Sequence, residues 1–220
     1  MPIVSGKLHK EIRKTVSIGY QLFLPASYEE QMDKKWPVIL FLHGIKKRGE
    51  DIHMLDHYGL GWMADKIPGF EFIVISPQCP SLSSWPMERD AVLTLMDEVF
   101  ETHRVDRERI YLTGFSLGGH GAWDLAAYAP ERFAATAPAA GWFDPEKAVL
   151  LKSMPIWAFH GENDDVVEIA RDRAIVDALK ERGGNVVFTT YPGLQHQVMD
   201  ETYGNLKLYE WMLKHTIKRM

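Results

Sequence analysis

The sequence lacks most of the features that mark secreted, membrane or metal-binding proteins. Cys79 is the only cysteine among 220 residues, so the chain can form no internal disulfide and offers no thiolate cluster to zinc or iron. No apolar run reaches membrane-spanning length, and residues 1–7 lack the basic start and apolar segment of a signal peptide. We therefore expect a cytoplasmic protein that does not contact a membrane.

Basic residues are not in excess either. Lys and Arg total 25 against 30 Asp and Glu, and the cations are scattered, which leaves no electrostatic footprint for nucleic acid. The glycine-rich loops that bind nucleotide phosphates and the His-Glu-x-x-His pair that binds zinc are also missing. The sequence predicts no nucleic-acid partner, no metal and no cofactor, and it leaves the oligomeric state open.

What the sequence does contain is typical of a globular enzyme. The apolar fraction of 46% and the charged fraction of 25% are close to ordinary averages. Neither an internal repeat nor a Pro/Gly/Ser-rich linker divides the chain, so we expect residues 1–220 to form a single domain.

Short apolar runs alternate with amphipathic segments along the chain. The runs predict strands at residues 15–24, 38–42, 72–75, 110–113, 133–137, 155–159 and 186–191. The amphipathic segments predict helices at residues 87–103, 116–128, 167–182 and 206–217. This order predicts a doubly wound α/β fold, in which helices cover both faces of a mostly parallel sheet. In such sheets ligands bind beyond the carboxyl ends of the strands.

A nucleophile elbow is predicted where the strand at 110–113 meets the following helix. The residues at 114–118 read G-x-S-x-G, with Ser116 at the centre. So tight a turn brings the two flanking glycines, Gly114 and Gly118, close together, where a side chain would clash. The turn also sets the serine oxygen at a helix N-terminus, which favours developing negative charge.

A serine hydroxyl needs a base, and the base needs a carboxylate that fixes its tautomer. His196 follows the last predicted strand and precedes the final helix, so it can reach over the elbow. The loop after the strand at 155–159 contains Asp164 and Asp165. We choose Asp164 as the acid and keep Asp165 as the alternative.

An oxyanion hole requires two backbone donors. The first is expected to be the amide of Leu117, directly after the serine. The second is expected in the loop after residues 38–42, where the amide of Ile45 follows His43-Gly44. His43 itself is interpreted as a structural hydrogen-bonding residue and not as a catalyst.

Several longer segments make the sequence recognisable. They lie at residues 41–44, 48–51, 76–80, 105–119, 121–123, 130–135, 160–164 and 193–196. On these segments the chain resembles bacterial α/β-hydrolase esterases of the carboxylesterase/phospholipase and predicted-peptidase group, which are relatives of the prolyl oligopeptidase catalytic domain and of polyhydroxybutyrate depolymerase-like and feruloyl esterases. Matched residue by residue, the resemblance implies a triad of Ser116, Asp164 and His196. It favours Asp164 over Asp165, because the family places its acid three residues after the glycine of His-Gly.

The chain departs from this group beside the predicted site. Residues 45–47 read Ile-Lys-Lys where relatives often have a small residue and glycine, and Trp142 stands where relatives often carry more glycine. Trp142, Trp85 and Trp62 are candidate substrate-lining residues, although packing in the core fits each of them equally well.

Only residues 138–154 separate two predicted strands between which many lipases insert a lid. This segment is too short for a lid domain, so we expect an open cleft and a serine carboxylesterase that hydrolyses small esters with short acyl or aryl groups. A peptidase or thioesterase of the same fold is the alternative within enzymes. A non-catalytic binding protein of this fold is the alternative outside them.

Overall fold

Residues 3–11 and 13–217 are described by a computed structural model. Within them, seven strands form one sheet in the order β1-β3-β2-β4-β5-β6-β7. The strands are β1 Tyr20–Phe23, β2 Trp36–Leu42, β3 Ile73–Pro77, β4 Val105–Phe115, β5 Ala135–Ala139, β6 Ile156–Gly161 and β7 Val186–Tyr191. Residues 1 and 2, on which the signal-peptide prediction partly depends, lie outside the described residues, and the single-domain organisation stays a prediction.

Every neighbouring pair of strands is parallel except β1 and β3. The α-helices are α1 Gly59–Ala64, α2 Arg89–Thr102, α3 Leu117–Tyr128, α4 Ile169–Glu181, α5 Met199–Tyr203 and α6 Leu206–Met212. Because β4, β6 and β7 point the same way, the loops that follow them leave the sheet at one edge.

The sheet is buried on both faces, as its continuous apolar strands require. In β2, residues 38, 40 and 42 join one core cluster, while residues 39 and 41 join the other. The first cluster packs against α2, α3 and α4, and the second packs against α1, α5 and α6. The predicted α/β architecture with helices on both faces is confirmed.

Some predicted boundaries were wrong. The strand predicted at 15–24 is only Tyr20–Phe23, because its partner β3 ends opposite Tyr20 at Pro77. β4 begins at Val105 and not at residue 110, since Val105 pairs with Trp36 of β2 before an irregularity that contains the polar, exposed residues 107–109. The last helix ends at Met212. Helices α1 and α5 were not predicted, because each is too short to show a helical period.

In the described part of the chain, no helix combines the length and the apolar character needed to cross a bilayer.

Candidate active site

Ser116 occupies a sharp turn between a strand and a helix. It follows β4, which ends at Phe115, and it precedes α3, which begins at Leu117. Its backbone has φ 59° and ψ −117°, a conformation that side-chain-bearing residues rarely adopt. The amide of Ser116 donates to the Ala139 carbonyl at 2.9 Å, which ties the turn to the end of β5. The predicted strand-turn-helix arrangement is therefore present.

The glycines beside Ser116 permit close contact between backbones. A Cβ atom on Gly118 would collide with the carbonyl oxygen of Leu42, and one on Gly114 would collide with the carbonyl oxygen of Gly118. Neither obstacle is a side chain that could rotate away. The elbow therefore needs glycine at both positions, as the motif indicates.

A hydrogen-bonded chain runs from Ser116 through His196 to Asp164. The Nε2 atom of His196 lies 2.8 Å from the Ser116 hydroxyl, and its Nδ1 atom lies 2.8 Å from Asp164 Oδ2. A carboxylate can only accept here, so Nδ1 carries the proton and Nε2 is free to accept from the serine. The loops after β4, β6 and β7 thus bring together the three residues predicted from sequence.

The carboxylate of Asp164 is enclosed and fully hydrogen-bonded. Its side chain has no exposed surface, and its Oδ1 atom accepts from the amides of Val166 at 2.9 Å and Val167 at 2.8 Å. Burial opposes ionisation, yet the hydrogen bonds from His196, Val167 and Val166 together hold the pKa of Asp164 below its usual value. Asp165 is exposed and does not contact His196, so the structure brings Asp164 and not its alternative to the base.

The loops that carry the acid and the base are fixed to one another. The amide of Asn163 donates to the Leu194 carbonyl at 2.9 Å, and a Cβ atom on Gly161 would collide with the carbonyl oxygen of Gln195. The ring of Phe115 packs on His196 with 4.9 Å between centroids. His196 therefore has a defined position, although 11% of its side chain still reaches solvent.

The predicted oxyanion loop lies next to the elbow. A Cβ atom on Gly44 would stand 3.4 Å from Ser116 Cβ, so this backbone passes close to the nucleophile. Neither the Ile45 amide nor the Leu117 amide donates a hydrogen bond to another described residue. Both predicted donors are therefore free to bind an oxyanion.

His43 fixes the orientation of this loop. Its Nδ1–H donates to the Gly44 carbonyl at 2.7 Å, while its Nε2 accepts from the Cys79 amide at 3.0 Å. The Gly44 carbonyl and the Ile45 amide belong to one planar peptide, so the first hydrogen bond also sets the direction of the Ile45 N–H. Burial lowers the pKa of His43 to about 4, which keeps the ring neutral and suited to both contacts.

Comparison with known proteins agrees with this geometry. The dienelactone hydrolase family matches the chain over residues 85–205, which is more than half of its length and includes Ser116, Asp164 and His196. The chain belongs to this family. Its resemblance to α/β-hydrolase esterases is thereby confirmed, although the sequence reasoning had not singled out the dienelactone hydrolases among them.

Relatives of this dienelactone hydrolase family member include named esterases. A bifunctional acetylxylan esterase/xylanase from Neocallimastix patriciarum is 30% identical over 138 residues, which are 60% of this chain and 20% of that protein. Carboxylesterase SOBER1 from Arabidopsis thaliana is 26% identical over 157 residues, 64% of this chain and 66% of its own length. A crystal structure of a thermostable esterase superposes with a TM-score of 0.81 at 32% identity, covering 91% of this chain and 60% of the esterase. The chain thus spans only part of each of them.

In this member of the family, Ser116 opens into a cleft of about 580 Å³. The lining residues are Ile45, Lys46, Ser116, Asn163, Asp165, Val166 and residues 193–197. Most of the wall comes from the same loops that carry Asp164 and His196, and it combines polar side chains with the apolar side chains of Ile45, Val166 and Leu194. Sequence reasoning missed the amide side chains among these residues, because loop residues have no period that marks which way they point.

The candidate substrate-lining tryptophans lie elsewhere, and none of the three lines this cleft. Trp85 is 2% exposed and donates from its indole to the His43 carbonyl at 3.0 Å, so the expectation for Trp85 is corrected: it fills the gap beside Gly121 of α3. Trp62 lies on α1 and its ring contacts Lys66. Trp142 stacks on His120 with 4.6 Å between ring centroids.

Proposed function

We propose that this chain is a serine hydrolase that cleaves small carboxylic esters through an acyl-enzyme intermediate. The observation that carries the proposal is the unbroken hydrogen-bonded chain from Ser116 Oγ through His196 to Asp164, with 2.8 Å at each link. Membership of the dienelactone hydrolase family and the esterase names of its relatives support the same chemistry.

The first half of the reaction forms the acyl-enzyme. Ser116 Oγ attacks the ester carbonyl carbon while His196 Nε2 takes the hydroxyl proton, and Asp164 stabilises the resulting imidazolium. The oxygen of the tetrahedral intermediate accepts hydrogen bonds from the Ile45 and Leu117 amides. The carbon–oxygen bond to the alcohol then breaks, and the alcohol leaves with the proton from His196.

The second half releases the acid. Water donates a proton to His196 Nε2 as its oxygen attacks the acyl carbon, and the same two amides bind the second oxyanion. The bond to Ser116 Oγ breaks, and the serine recovers its proton from His196. The 11% exposure of the His196 side chain supports this step, because water can reach the base.

Short-chain acyl or aryl esters are the proposed substrates. β5 and β6 are connected through residues 140–155, which include a 3-10 helix at Pro145–Leu151. The cleft beside Ser116 measures about 580 Å³ and combines polar side chains with the apolar Ile45, Val166 and Leu194, which suits a small ester that has both polar and apolar groups. A strong preference for emulsified long-chain lipid over soluble short esters would contradict this proposal.

Fluorophosphonate labelling tests the nucleophile. We expect the wild-type protein to be labelled stoichiometrically and to hydrolyse p-nitrophenyl acetate, and we expect Ser116→Ala to lose both properties. Ser81→Ala, which removes an exposed hydroxyl elsewhere, is the matched control and should retain both. A wild-type protein that neither reacts with the probe nor hydrolyses the ester would favour the non-catalytic alternative.

The choice among acyl substrates needs a second assay. Turnover of p-nitrophenyl acetate, an acyl-CoA and a proline-containing peptide should be compared for the same preparation. We expect the highest kcat/KM for the ester. A thioester or peptide that is cleaved more efficiently would move the assignment to the corresponding hydrolase with the triad unchanged.

A cytoplasmic location is also proposed. The single cysteine, Cys79, is a buried free thiol whose pKa burial raises to about 12, so it is poorly suited to a disulfide with another chain. Cell fractionation of the native source would test this location directly.

A further inference from the structure

A second histidine, which does not line the cleft, contacts the carboxylate of Asp164. His160 lies in β6 and its side chain has no exposed surface. Its Nε2 atom is 3.1 Å from Asp164 Oδ2, the same oxygen that binds His196, and 2.9 Å from the Val167 carbonyl oxygen. The mechanism described above assigns no role to this ring.

The other nitrogen of His160 is bound by a second buried carboxylate. Nδ1 lies 2.9 Å from Oδ2 of Asp172, a fully buried residue of α4. Asp172 Oδ1 accepts from the Trp123 indole at 2.9 Å, and the Gly141 amide also donates to this carboxylate. Asp172 therefore connects His160 to the helix that follows the nucleophile and to the loop after β5.

The partners of His160 determine its protonation. Nε2 faces only oxygen acceptors, so it carries a hydrogen. Nδ1 faces a carboxylate that already accepts two other hydrogen bonds, which favours a hydrogen on Nδ1 as well. Burial disfavours the charged ring, but Asp172, the Val167 carbonyl and Asp164 together raise the pKa of His160. The two carboxylates that contact the ring, Asp164 and Asp172, thus favour its charged form, while burial raises the pKa of Asp172 as well.

We propose that His160 is a positioning residue of the triad: it holds Asp164 Oδ2 in line with His196 and offsets part of the carboxylate's negative charge. Because both imidazoles share one oxygen, movement of Asp164 away from His196 would also break its contact with His160. Loss of the His160 ring should therefore strengthen the attraction of Asp164 for a proton on His196. This inference rests on the proposed hydrolase function.

Two substitutions separate the contacts of the ring. In His160→Asn the amide nitrogen stands near the former Nδ1, so the contact with Asp172 can persist while that with Asp164 is lost. In His160→Gln the amide nitrogen stands near the former Nε2, so the contact with Asp164 can persist while that with Asp172 is lost. His215→Asn is the matched control, since His215 lies beside Pro155 and Asn185, at the opposite end of the strands.

The readout is the pH profile of kcat/KM for p-nitrophenyl acetate, normalised to active sites titrated with a fluorophosphonate. For His160→Asn we expect the plateau value of kcat/KM to fall by about 10- to 100-fold, the usual effect of removing a group that orients a functional side chain. We also expect the acidic midpoint of the pH profile to rise by about 0.5 to 1 pH unit, because the negative charge of Asp164 is no longer offset by the His160 ring. His160→Gln should retain more of the plateau, and His215→Asn should match the wild type.

A purely structural role predicts a different result. If His160→Asn and His160→Gln reduce only the number of titrated sites, and leave kcat/KM per site and its acidic midpoint unchanged, the positioning role is overturned. Asp172→Asn gives a second test that preserves side-chain size: loss of this counter-ion should also raise the acidic midpoint, and an unchanged midpoint would contradict the proposal. A wild-type protein without esterase activity or labelling would instead overturn the proposed function on which the inference rests.

Discussion

The two ends of the sheet hold cavities of nearly equal size but different chemistry. At the amino ends of the strands, a cavity of about 590 Å³ is lined by residues 32–35, Phe100 and residues 103–108. At the carboxyl ends, the cleft beside Ser116 measures about 580 Å³. Charged side chains of the first cavity, such as Lys34 and Arg107, remain in contact with solvent. Behind the second, Asp164, His160 and Asp172 are withdrawn from water, and His160 contacts both carboxylates.

Backbone strain follows the same division. Three described non-glycine residues have positive φ values: His57 lies in a loop before α1, whereas Ser116 and Ala140, with φ of 59° and 47°, stand at the carboxyl ends directly after β4 and β5. At the amino ends, the positive φ values before β3 and β7 belong to the glycines Gly69 and Gly183. Cavity volume therefore does not mark the site in this protein. Buried ionisable groups that bond to each other, on a backbone held in a strained conformation, do mark it.

The largest expected effect on kcat follows from removing either the nucleophile or the base. Ser116→Ala or His196→Ala should each lower kcat by ~10⁶, as in other serine hydrolases whose triad acts as a unit. The double substitution should cost no more than either single one, which steady-state and single-turnover assays can establish. Additive losses would show that the two side chains work independently.

The acid should matter less than the nucleophile and the base. Asp164→Asn should lower kcat by ~10⁴, because an amide can donate to Nδ1 and so favours the wrong tautomer of His196. Asp165→Asn is the matched control and should change kcat less than about threefold, since this side chain is exposed and does not contact the base. A reversal of the two results would transfer the acid role to Asp165.

The strained end of the sheet should tolerate a methyl group less well than the other end. Gly118→Ala should destabilise the fold by at least about 3 kcal/mol, because the new Cβ atom meets the Leu42 carbonyl and neither backbone can yield. Gly183→Ala meets no atom within 4 Å and should cost only about 1 kcal/mol for its φ of 71°. Urea denaturation of both variants measures the difference, and equal costs would contradict the comparison.

Acidification should weaken the oxyanion loop through His43. Burial, aided by the charges of Lys47 and Arg48, lowers its folded-state pKa from 6.5 to about 4. Between pH 6.5 and about 4, His43 is protonated in the unfolded chain but neutral in the folded chain. The stability that neutral His43 contributes is therefore fully present above pH 6.5 and is lost as the pH falls towards 4. The free energy of unfolding should decrease by about 3 kcal/mol over this range. Denaturation at pH 7 and pH 4.5 should show this slope in the wild type, and a smaller one in His43→Gln.

The smallest effect is expected at the amino-end cavity. Arg107→Ala should leave kcat/KM within about twofold of wild type, because the side chain is exposed and lies at the end of the sheet away from Ser116. Ester hydrolysis at several substrate concentrations is a sufficient test. A tenfold decrease would mean that this cavity takes part in substrate binding and would end the distinction between the two ends.

Much of the active site could be predicted because it depends on short motifs. Ser116 stands in a turn that only small neighbours permit, and Asp164 and His196 follow strands whose apolar runs are visible in the sequence. The fold class follows from the alternation of such runs with amphipathic helices. Helices α1 and α5 escaped prediction, since so few residues show no period.

Contacts between distant residues could not be predicted in this way. The sequence fitted Trp85 equally well to the cleft and to the core; in the structure its indole donates to the His43 carbonyl and its ring fills the space beside Gly121. Asp172 was not singled out from the sequence, where it is one of several acidic residues in the helix predicted at 167–182. Its burial against His160 depends on how α4 packs against β6, which no local pattern encodes.

The sequence by itself determined the alternation of strands with the longer helices, the elbow around Ser116 and the choice of Asp164 and His196 as candidate acid and base, because each depends on local backbone geometry or on position at a strand end. Only the tertiary structure decided which groups surround those residues: two histidines on one oxygen of Asp164, a second carboxylate behind them and a cleft of mixed polar and apolar lining in front. The reason is that strand direction fixes which edge of the sheet a loop leaves from, whereas side-chain contacts across that edge depend on the packing of the whole chain.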